Sequence, residues 1–263
     1  MKKRCTCLVS IILVMCILFT NAAFAKDGYQ LLWTGGEGQY SHTENITGTH
    51  QFITKRAISI LRNDKKISFY DDYIDILLKY ADMPDKDEIS YGTFAGHFYD
   101  PDSGKNYMGS TNPTAQTKAI EHIKLAKDYY EDGRIEKSME ELGRAIHFIS
   151  DANVPHHAAN KIAVLTNHSE FEKWVDENKD SYKVNSSRLY SKYEDRLDFM
   201  LESYIWNMVK DSAVNAKQYI DLALTNNERN WDKVTEKTLT YSQEVVAAVL
   251  YNFLKKVDSS QIK

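Results

Sequence analysis

Two histidine–carboxylate pairs with the same spacing lie in the second half of this 263-residue sequence. His147 and Asp151 are four residues apart, and so are His168 and Glu172. Residues four apart on a helix present their side chains on the same face. His157 lies between the two pairs, where a preceding proline ends the first helix. Imidazoles and carboxylates in this arrangement are ligands for a divalent cation, and zinc fits them best.

A simpler interpretation of each pair is an ordinary surface or capping interaction, which is the commoner fate of one such pair on a helix. Apolar residues flank both pairs here, among them Phe148 and Ile149 in the first and Trp174 and Val175 in the second. An apolar wall makes polar groups without a metal costly to bury. The residues alone leave metal binding and ordinary pairing open.

The elements that must position these residues are helices. Apolar residues recur at helical spacing in the segments 53–61, 119–130, 135–149, 171–175, 197–209 and 241–254. The last segment is apolar on most faces, which predicts a central helix. No alternating strand pattern with hairpin turns stands out. The sequence predicts an all-α fold, a single multi-helix bundle from about Trp33 onward.

The N-terminus has the pattern of a secretory signal peptide. Lys2-Lys3-Arg4 precedes an apolar run over 8–19, and Ala23-Phe24-Ala25 forms a small-x-small cleavage site. A retained membrane anchor is the alternative, but the run is shorter than the roughly 20 residues that a spanning helix needs. We expect residues 1–25 to be removed and the protein to be secreted to the extracellular space.

Composition also limits the stabilising devices and the partners of the mature chain. All three cysteines lie within residues 1–25, so a large core or bound metal must replace disulfides. Removal of the three basic residues in that segment reduces the 33 basic residues to 30, against 37 acidic ones, a net charge of −7. This balance disfavours nucleic acid, whose binding depends on Lys and Arg contacts to phosphate.

Four separated segments then resemble one known family. Residues 142–160 read LGRAIHFISDANVPHHAAN, residues 47–50 read TGTH, residues 93–102 read TFAGHFYDPD, and His168-x3-Glu172 follows. In this order the motifs resemble the bacterial zinc-dependent phospholipase C family, which includes a secreted Bacillus enzyme and the catalytic domain of clostridial alpha-toxin. The resemblance covers essentially the whole mature chain, and we expect no counterpart of the toxin's C-terminal membrane-binding β-domain.

The resemblance implies a cluster of three zinc ions inside the bundle. The first zinc would be held by His97, His147, Asp151 and an upstream aspartate. The second would be held by His157, His168 and Glu172. The third would take His50, the same aspartate, and the amino and carbonyl groups of an N-terminal tryptophan. The upstream aspartate is Asp85 or Asp82, and the interval to His97 favours Asp85. His42 and His122 are expected to be surface residues, and His156 a neighbour of the cluster without a role.

The tryptophan ligand has a consequence for maturation. Trp33 is the only tryptophan upstream of His50, yet cleavage after Ala25 leaves residues 26–32 ahead of it. An acylated amide nitrogen is a poor ligand, so a second cleavage must free the Trp33 amine. We therefore expect residues 26–32 to be a propeptide of a zymogen and residues 33–263 to be the catalytic domain.

The function implied by the resemblance is hydrolysis of phospholipids, phosphatidylcholine in particular, to diacylglycerol and a phosphorylated head group. Asp85 would accept the proton of the attacking water. Phe94 would line a choline pocket, as an aromatic face suits a quaternary ammonium, or would simply pack in the core. The expected partner is a phospholipid membrane surface, and the chain is expected to be a monomer. The alternatives are a three-zinc single-strand nuclease and a secreted protein that uses zinc only for folding.

Overall fold

The part of the chain that the structure describes folds mainly into helices. The computed structural model describes residues 48–88, 90–197 and 200–262. The longer helices in these ranges are α1 (Thr49–Lys65), α2 (Ile74–Tyr80), α3 (Ala115–Glu131), α4 (Ile135–Asp151), α5 (His168–Asn178), α6 (Leu201–Lys217) and α7 (Glu228–Val257). Shorter helical turns are Phe69–Tyr73, Pro84–Asp87, Tyr91–Phe94, Ala95–His97, Pro155–Ala158, Ala163–Leu165, Lys179–Tyr182, Glu194–Leu197, Ile220–Ala223 and Ser259–Gln261.

The all-α prediction is confirmed. Within the described ranges the β-pairing is an isolated bridge between Asp100 and Lys105. Each predicted helical segment lies within or overlaps a helix, but the boundaries differ: the 241–254 segment belongs to a helix that begins at Glu228, and the 197–209 segment to one that begins at Leu201. These helices continue past the apolar period because tertiary packing and caps, such as Asn227 before α7, set their ends.

Capping and turn residues define the ends of α3 and its hairpin connection to α4. Thr114 caps α3 reciprocally: its Oγ1 accepts from the Thr117 N–H, and its own N–H donates to Thr117 Oγ1. Gly133 follows the helix with φ 74°, a left-handed conformation that glycine adopts without steric cost. Ser138 Oγ then donates to the Ala126 carbonyl at 2.6 Å and ties the two helices together.

Helix α4 carries a fully buried apolar stripe and ends in the first histidine–carboxylate pair. The stripe consists of Met139, Leu142, Ile146 and Ile149. Gly143 lies opposite α2: a β-carbon there would be 2.8 Å from Tyr80 Cβ and 3.0 Å from the Leu77 carbonyl oxygen. Only glycine allows this close approach, which brings the end of α2 beside His147.

Helix α7 runs along α1 and buries residues on most of its faces from Val245 to Leu254, as predicted for a central helix. Tyr70 donates to the Leu250 carbonyl at 2.7 Å, and Asn252 donates to the Tyr204 hydroxyl. These bonds satisfy polar groups inside the bundle and connect α7 to distant segments.

The N-terminal predictions lie outside the described residues. They are the signal peptide over 1–25, the propeptide over 26–32, the ligand role of Trp33 and the surface position of His42. For the part of the chain that is described, the helices are too short or too polar to cross a membrane.

Candidate metal centre

The predicted ligands that the structure describes lie together where α1, α4, α5 and three short turns meet. They are His50, Asp85, His97, His147, Asp151, His157, His168 and Glu172, and each is buried. Their ligand atoms form three groups in which all atoms lie within 4.8 Å of one another. The groups are His50–His147–Asp151, Asp85–His97–His147 and His157–His168–Glu172. Trp33, the ninth predicted ligand, is outside the described residues.

The two carboxylate oxygens of Asp85 face different imidazoles. Oδ1 lies 3.5 Å from His147 Nε2 and 3.7 Å from His97 Nδ1. Oδ2 lies 3.9 Å from His50 Nε2. This geometry is suited to a carboxylate that bridges two ions, which is the role implied for the upstream aspartate.

The alternative aspartate, Asp82, has a different environment. It is fully buried, but its Oδ2 lies 2.6 Å from Lys86 Nζ, and it belongs to none of the three groups. An ammonium group at that distance competes with a metal cation for the carboxylate. The geometry therefore favours Asp85 over Asp82 as the ligand.

His147 and Asp151 face the centre from the last turn of α4. His147 Nδ1 lies 2.8 Å from the Ala81 carbonyl oxygen, which can only accept, so Nδ1 carries the proton. In the neutral ring, Nε2 is then the nitrogen available to a metal, and it lies 3.2 Å from Asp151 Oδ2. Asp151 Oδ2 is also 2.9 Å from His97 Nδ1, and its Oδ1 is 3.5 Å from His50 Nε2.

The third group is built in the same way. His157 Nδ1 donates to the carbonyl oxygen of His97 at 2.7 Å, which leaves Nε2 3.2 Å from Glu172 Oε1. His168 Nε2 lies 2.8 Å from the same oxygen. A backbone carbonyl that holds the far ring nitrogen is the usual outer-shell partner of a metal-binding histidine, because it fixes the tautomer and the ring orientation.

Burial and neighbouring charges shift the pKa values of the predicted ligands in opposite directions. Burial raises the pKa of Asp85 to about 8, and nearby Asp151 adds to that effect, although His147 opposes it. Burial acts to lower the pKa of His147, yet Asp151 and Asp85 raise it to about 10. Burial likewise acts to raise the pKa of Glu172, but His168 and His157 hold it below its usual range. The buried carboxylates of Asp85, Asp151 and Glu172 therefore need positive charge beside them to remain ionised.

Bound zinc fits this donor set on two further observations. Asp85 Oδ2, an oxygen that faces the centre, is buried and finds no hydrogen-bond partner among the described residues. A buried polar atom without a partner is costly, and coordination at the carboxylate would satisfy it. Five imidazoles and three carboxylates are also the ligand types that zinc prefers.

Comparison with known proteins decides the family. A sequence profile for zinc dependent phospholipase C matches residues 49–241, which include all eight predicted ligands that the structure describes. The chain belongs to the zinc-dependent phospholipase C family. The resemblance inferred from four motifs is therefore confirmed, and zinc is the metal for which the three groups are built.

Individual members of the zinc-dependent phospholipase C family are similar over most of the chain. A phospholipase C of Bacillus cereus is 30% identical over 88% of this chain and 83% of its own length. A phospholipase C of Paraclostridium bifermentans is 26% identical over 94% of this chain and 65% of its own. The structure of the alpha toxin from Clostridium absonum superposes with a TM-score of 0.73 at 27% identity, covering 81% of this chain and 64% of that one. The chain thus spans about two thirds of these clostridial relatives.

The sequence predicted that His122 is a surface residue, and this prediction is wrong. It is buried, its Nδ1 lies 2.6 Å from Glu141 Oε2, and its ring stacks on Phe148 at 5.6 Å. Its spacing from Ala119 and Ala126 places it on the apolar stripe of α3, so the periodicity could have identified it as buried.

His156, to which no role was assigned, supports the third group. It is fully buried, and its ring is parallel to that of His168 at 4.7 Å. Its Nε2 lies 3.2 Å from Asn167 Oδ1, and Asn167 is the residue that precedes α5. His156 therefore restricts the orientation of His168, a contact that depends on the 155–158 turn and that spacing could not reveal.

Phe94 lies beside the centre and is half-buried. Its ring centroid is 5.1 Å from that of His97 and 5.6 Å from that of Phe98. Both contacts are compatible with a substrate-facing ring and with simple packing, so a role of Phe94 in head-group binding stays a prediction.

Proposed function

We propose that this chain is a secreted zinc-dependent phospholipase C that hydrolyses phospholipids, phosphatidylcholine in particular, to diacylglycerol and a phosphorylated head group. The observation that carries the proposal is the position of Asp85, whose two oxygens face separate sets of buried imidazoles in a chain of this family. The relatives that match most of the chain are named phospholipase C, which supports the same reaction class.

A phosphodiester is anionic and resists attack by water, so the site must neutralise charge and supply a nucleophile. Zinc ions, when bound, stabilise negative charge on phosphoryl oxygens and make a water molecule acidic enough to lose a proton near neutral pH. The site residues are thus expected to hold the ions, to move the proton and to orient the lipid phosphate.

Asp85 is the residue that we assign to proton transfer. It retains 8% exposure, more than the 0–3% of the other seven described ligands, so it lies nearest to the side from which water and substrate arrive. A carboxylate oxygen at this position could accept the proton of the attacking water. His147 and His157, held by the Ala81 and His97 carbonyls, would keep their Nε2 atoms directed at the centre without reorganisation during the reaction.

The N-terminal segment would complete the site. We assign residues 1–25 to a signal peptide, residues 26–32 to a propeptide and the amine of Trp33 to the third zinc, together with His50 and Asp85. The support is the sequence pattern of the leader and the family resemblance. The mass of the secreted protein tests this assignment, because a mature chain that begins at Lys26 would exclude a free Trp33 amine.

The proposed partner is a phospholipid surface, with Phe94 beside the head group and the protein acting as a monomer. Nucleic acid is excluded in this proposal because the net charge of residues 26–263 is −7. A direct assay compares hydrolysis of phosphatidylcholine vesicles and of single-stranded DNA, with zinc and after its removal. We expect zinc-dependent release of diacylglycerol and no cleavage of DNA. Cleavage of DNA alone would identify a nuclease. If neither substrate is cleaved, zinc has a purely structural role.

A further inference from the structure

Exposed apolar side chains gather on three turns next to the third ligand group, which consists of His157, His168 and Glu172. Among the described residues the large exposed apolar side chains are Met108, Val164, Leu165, Met200, Trp206, Val214 and Leu222. Four of the seven lie on the turns 104–109, 160–167 and 220–225, and Leu165 is 78% exposed. Apolar residues scattered singly need no explanation, but a group of them marks an interaction surface.

Hydrogen bonds show that these turns are neighbours, and we call residues 104–109, 160–167 and 220–225 together the rim. Asn160 Nδ2 donates to the Lys105 carbonyl at 3.2 Å. Asn167 Nδ2 donates to the Ala223 and Thr225 carbonyls at 3.0 and 3.3 Å. The 160–167 segment therefore joins the other two turns.

The rim is also fixed to the candidate zinc ligands. Phe98 stacks on His157, with ring centroids 4.6 Å apart and an interplanar angle of 12°, and contacts Tyr107 of the rim edge-on at 4.9 Å. Asn167 bonds His156, whose ring lies on His168. A surface that binds the rim would thus lie beside the metal centre.

The charges of the rim match one kind of surface. Lys105 and Lys161 are exposed and form no salt bridge with any described residue, whereas Asp221 is the acidic residue of the rim. The nearby Asp100 and Asp102 share Lys217, at 2.7 and 2.8 Å, which offsets one of their two negative charges. Lysines beside exposed apolar side chains suit a phospholipid layer, where phosphates lie above acyl chains.

We propose that the rim docks on a phospholipid surface, with Met108, Val164 and Leu165 entering the acyl boundary and Lys105 and Lys161 at the phosphate level. This inference rests on the proposed phospholipase function and names the part of the molecule that meets the lipid. Docking there holds the third ligand group and the remainder of the centre close to the head groups, so that a lipid phosphate reaches the ligands without leaving the layer.

The test compares two double variants of the zinc-loaded protein. Met108→Gln/Leu165→Gln removes apolar character from the rim, and Met200→Gln/Trp206→Gln removes it from exposed residues elsewhere. Trp206 is a suitable control because it lies about 16 Å along α6 from Lys217, the residue of that helix that reaches Asp100 and Asp102. All four side chains are exposed, so both variants should fold.

Each protein is assayed on phosphatidylcholine vesicles, on short-chain phosphatidylcholine below its micelle concentration, and by vesicle flotation. We expect the rim variant to lose about tenfold or more in vesicle hydrolysis and flotation, because apolar side chains no longer leave water. Its turnover of the monomeric lipid should change by less than about twofold, and the control should match wild type throughout.

Other outcomes would overturn the inference. Equal losses on vesicles and on monomeric lipid would show a structural effect, and an unchanged rim variant would show that the surface is not used. A dimer in solution that the rim substitutions dissociate would identify a second copy of the chain as the occupant. If wild type hydrolyses neither lipid, the proposed function fails, and flotation of wild type against the rim variant decides the docking surface by itself.

Discussion

The two ends of the metal centre are assembled in different ways. The local group, His157, His168 and Glu172, comes from a stretch of 16 residues that holds two short turns and the start of α5. The distributed group, Asp85, His97 and His147, comes from three separate segments. The local group can form from short-range structure, whereas the distributed group exists only when α2, α4 and the 84–97 segment are packed correctly.

The supports of the two groups differ accordingly. In the local group, His156 stacks on His168 and bonds Asn167 within the same stretch. In the distributed group, His147 depends on the Ala81 carbonyl, which reaches it only because Gly143 admits α2. We therefore expect substitutions near one group to leave the other largely intact, except at Asp151, which touches ligands of both.

Asp151→Asn should have the largest effect on activity. Its carboxylate lies 2.9 Å from His97, 3.2 Å from His147 and 3.9 Å from His157, so the change weakens contacts to both groups. Loss of a ligand should exceed the roughly 10–100-fold cost of losing an outer-shell partner, and we expect a decrease of about a thousandfold in kcat/KM on phosphatidylcholine.

The matched control for that change is Asp128→Asn, an exposed aspartate on α3. His122, although outside the ligand groups, is unsuitable because it is buried against Glu141. Retention of activity by Asp151→Asn would remove the centre from the mechanism, and a matching loss in Asp128→Asn would show that the assay reports folding.

Removal of zinc should have the largest effect on stability. It leaves three buried carboxylates to be compensated by protonated imidazoles, and leaves Asp85 Oδ2 without a hydrogen bond from the described residues. A ligand at a thousandfold excess over its Kd contributes about 4 kcal/mol, and each kcal/mol shifts Tm by roughly 2–4 °C at this size, so we expect a fall of about 10 °C or more.

Circular dichroism melts with chelator, with zinc-saturated chelator and after zinc is added back would measure this change. An unaltered melting curve in protein shown by elemental analysis to contain no zinc would argue against a metal that stabilises the fold.

Gly143→Ala should act on the distributed group. The added carbon would lie 2.8 Å from Tyr80 Cβ, so α2 must move and the bond from His147 to the Ala81 carbonyl must lengthen. Overpacking of this kind costs about 1–3 kcal/mol of unfolding free energy. Denaturant unfolding and zinc titration should show lower stability and weaker binding of zinc at the distributed group only.

Gly92→Ala is the matched control, because a β-carbon there meets no atom within 4 Å. Identical stability in the two alanine variants would show that α2 and α4 have room to adjust. Equal weakening of both zinc groups by Gly143→Ala would contradict their independence.

Sequence reasoning succeeded where the relevant contacts are local. The spacing of His147 and Asp151, and of His168 and Glu172, predicted helices that present each pair on one face, and α4 and α5 do so. The burial of His122 could also have been inferred from its place on the apolar stripe of α3, so that error lies in the interpretation of the pattern and not in the information available.

The remainder depends on tertiary packing. The family interval favoured Asp85 over Asp82. Asp82 and Lys86 are four residues apart in the sequence, but Pro84 lies between them and begins a new short helix, so the folded chain was needed to show their ion pair. The role of Gly143 could not be predicted because its partner helix α2 is short and lacks a distinct apolar period. A close approach between helices is a property of two segments, and one sequence pattern describes only one of them.

His156→Ala should have the smallest effect and should act on the local group. Removal of the ring takes away the parallel contact to His168 and the hydrogen bond to Asn167 Oδ1, so His168 gains freedom that zinc binding must then restrict. By analogy with other outer-shell partners we expect zinc affinity at the local group to fall by about tenfold, while the distributed group binds as before.

His156→Phe is the sharper probe, because it retains a ring of similar shape for stacking and removes only the hydrogen bond. Competition with a chromophoric chelator would rank the three proteins, and we expect His156→Phe to lie between wild type and His156→Ala. If His156→Phe loses as much affinity as His156→Ala, the bond to Asn167 rather than the stacked ring orients the ligand; if neither loses affinity, His168 is already fixed by Glu172 and the start of α5, and His156 serves only to fill the core.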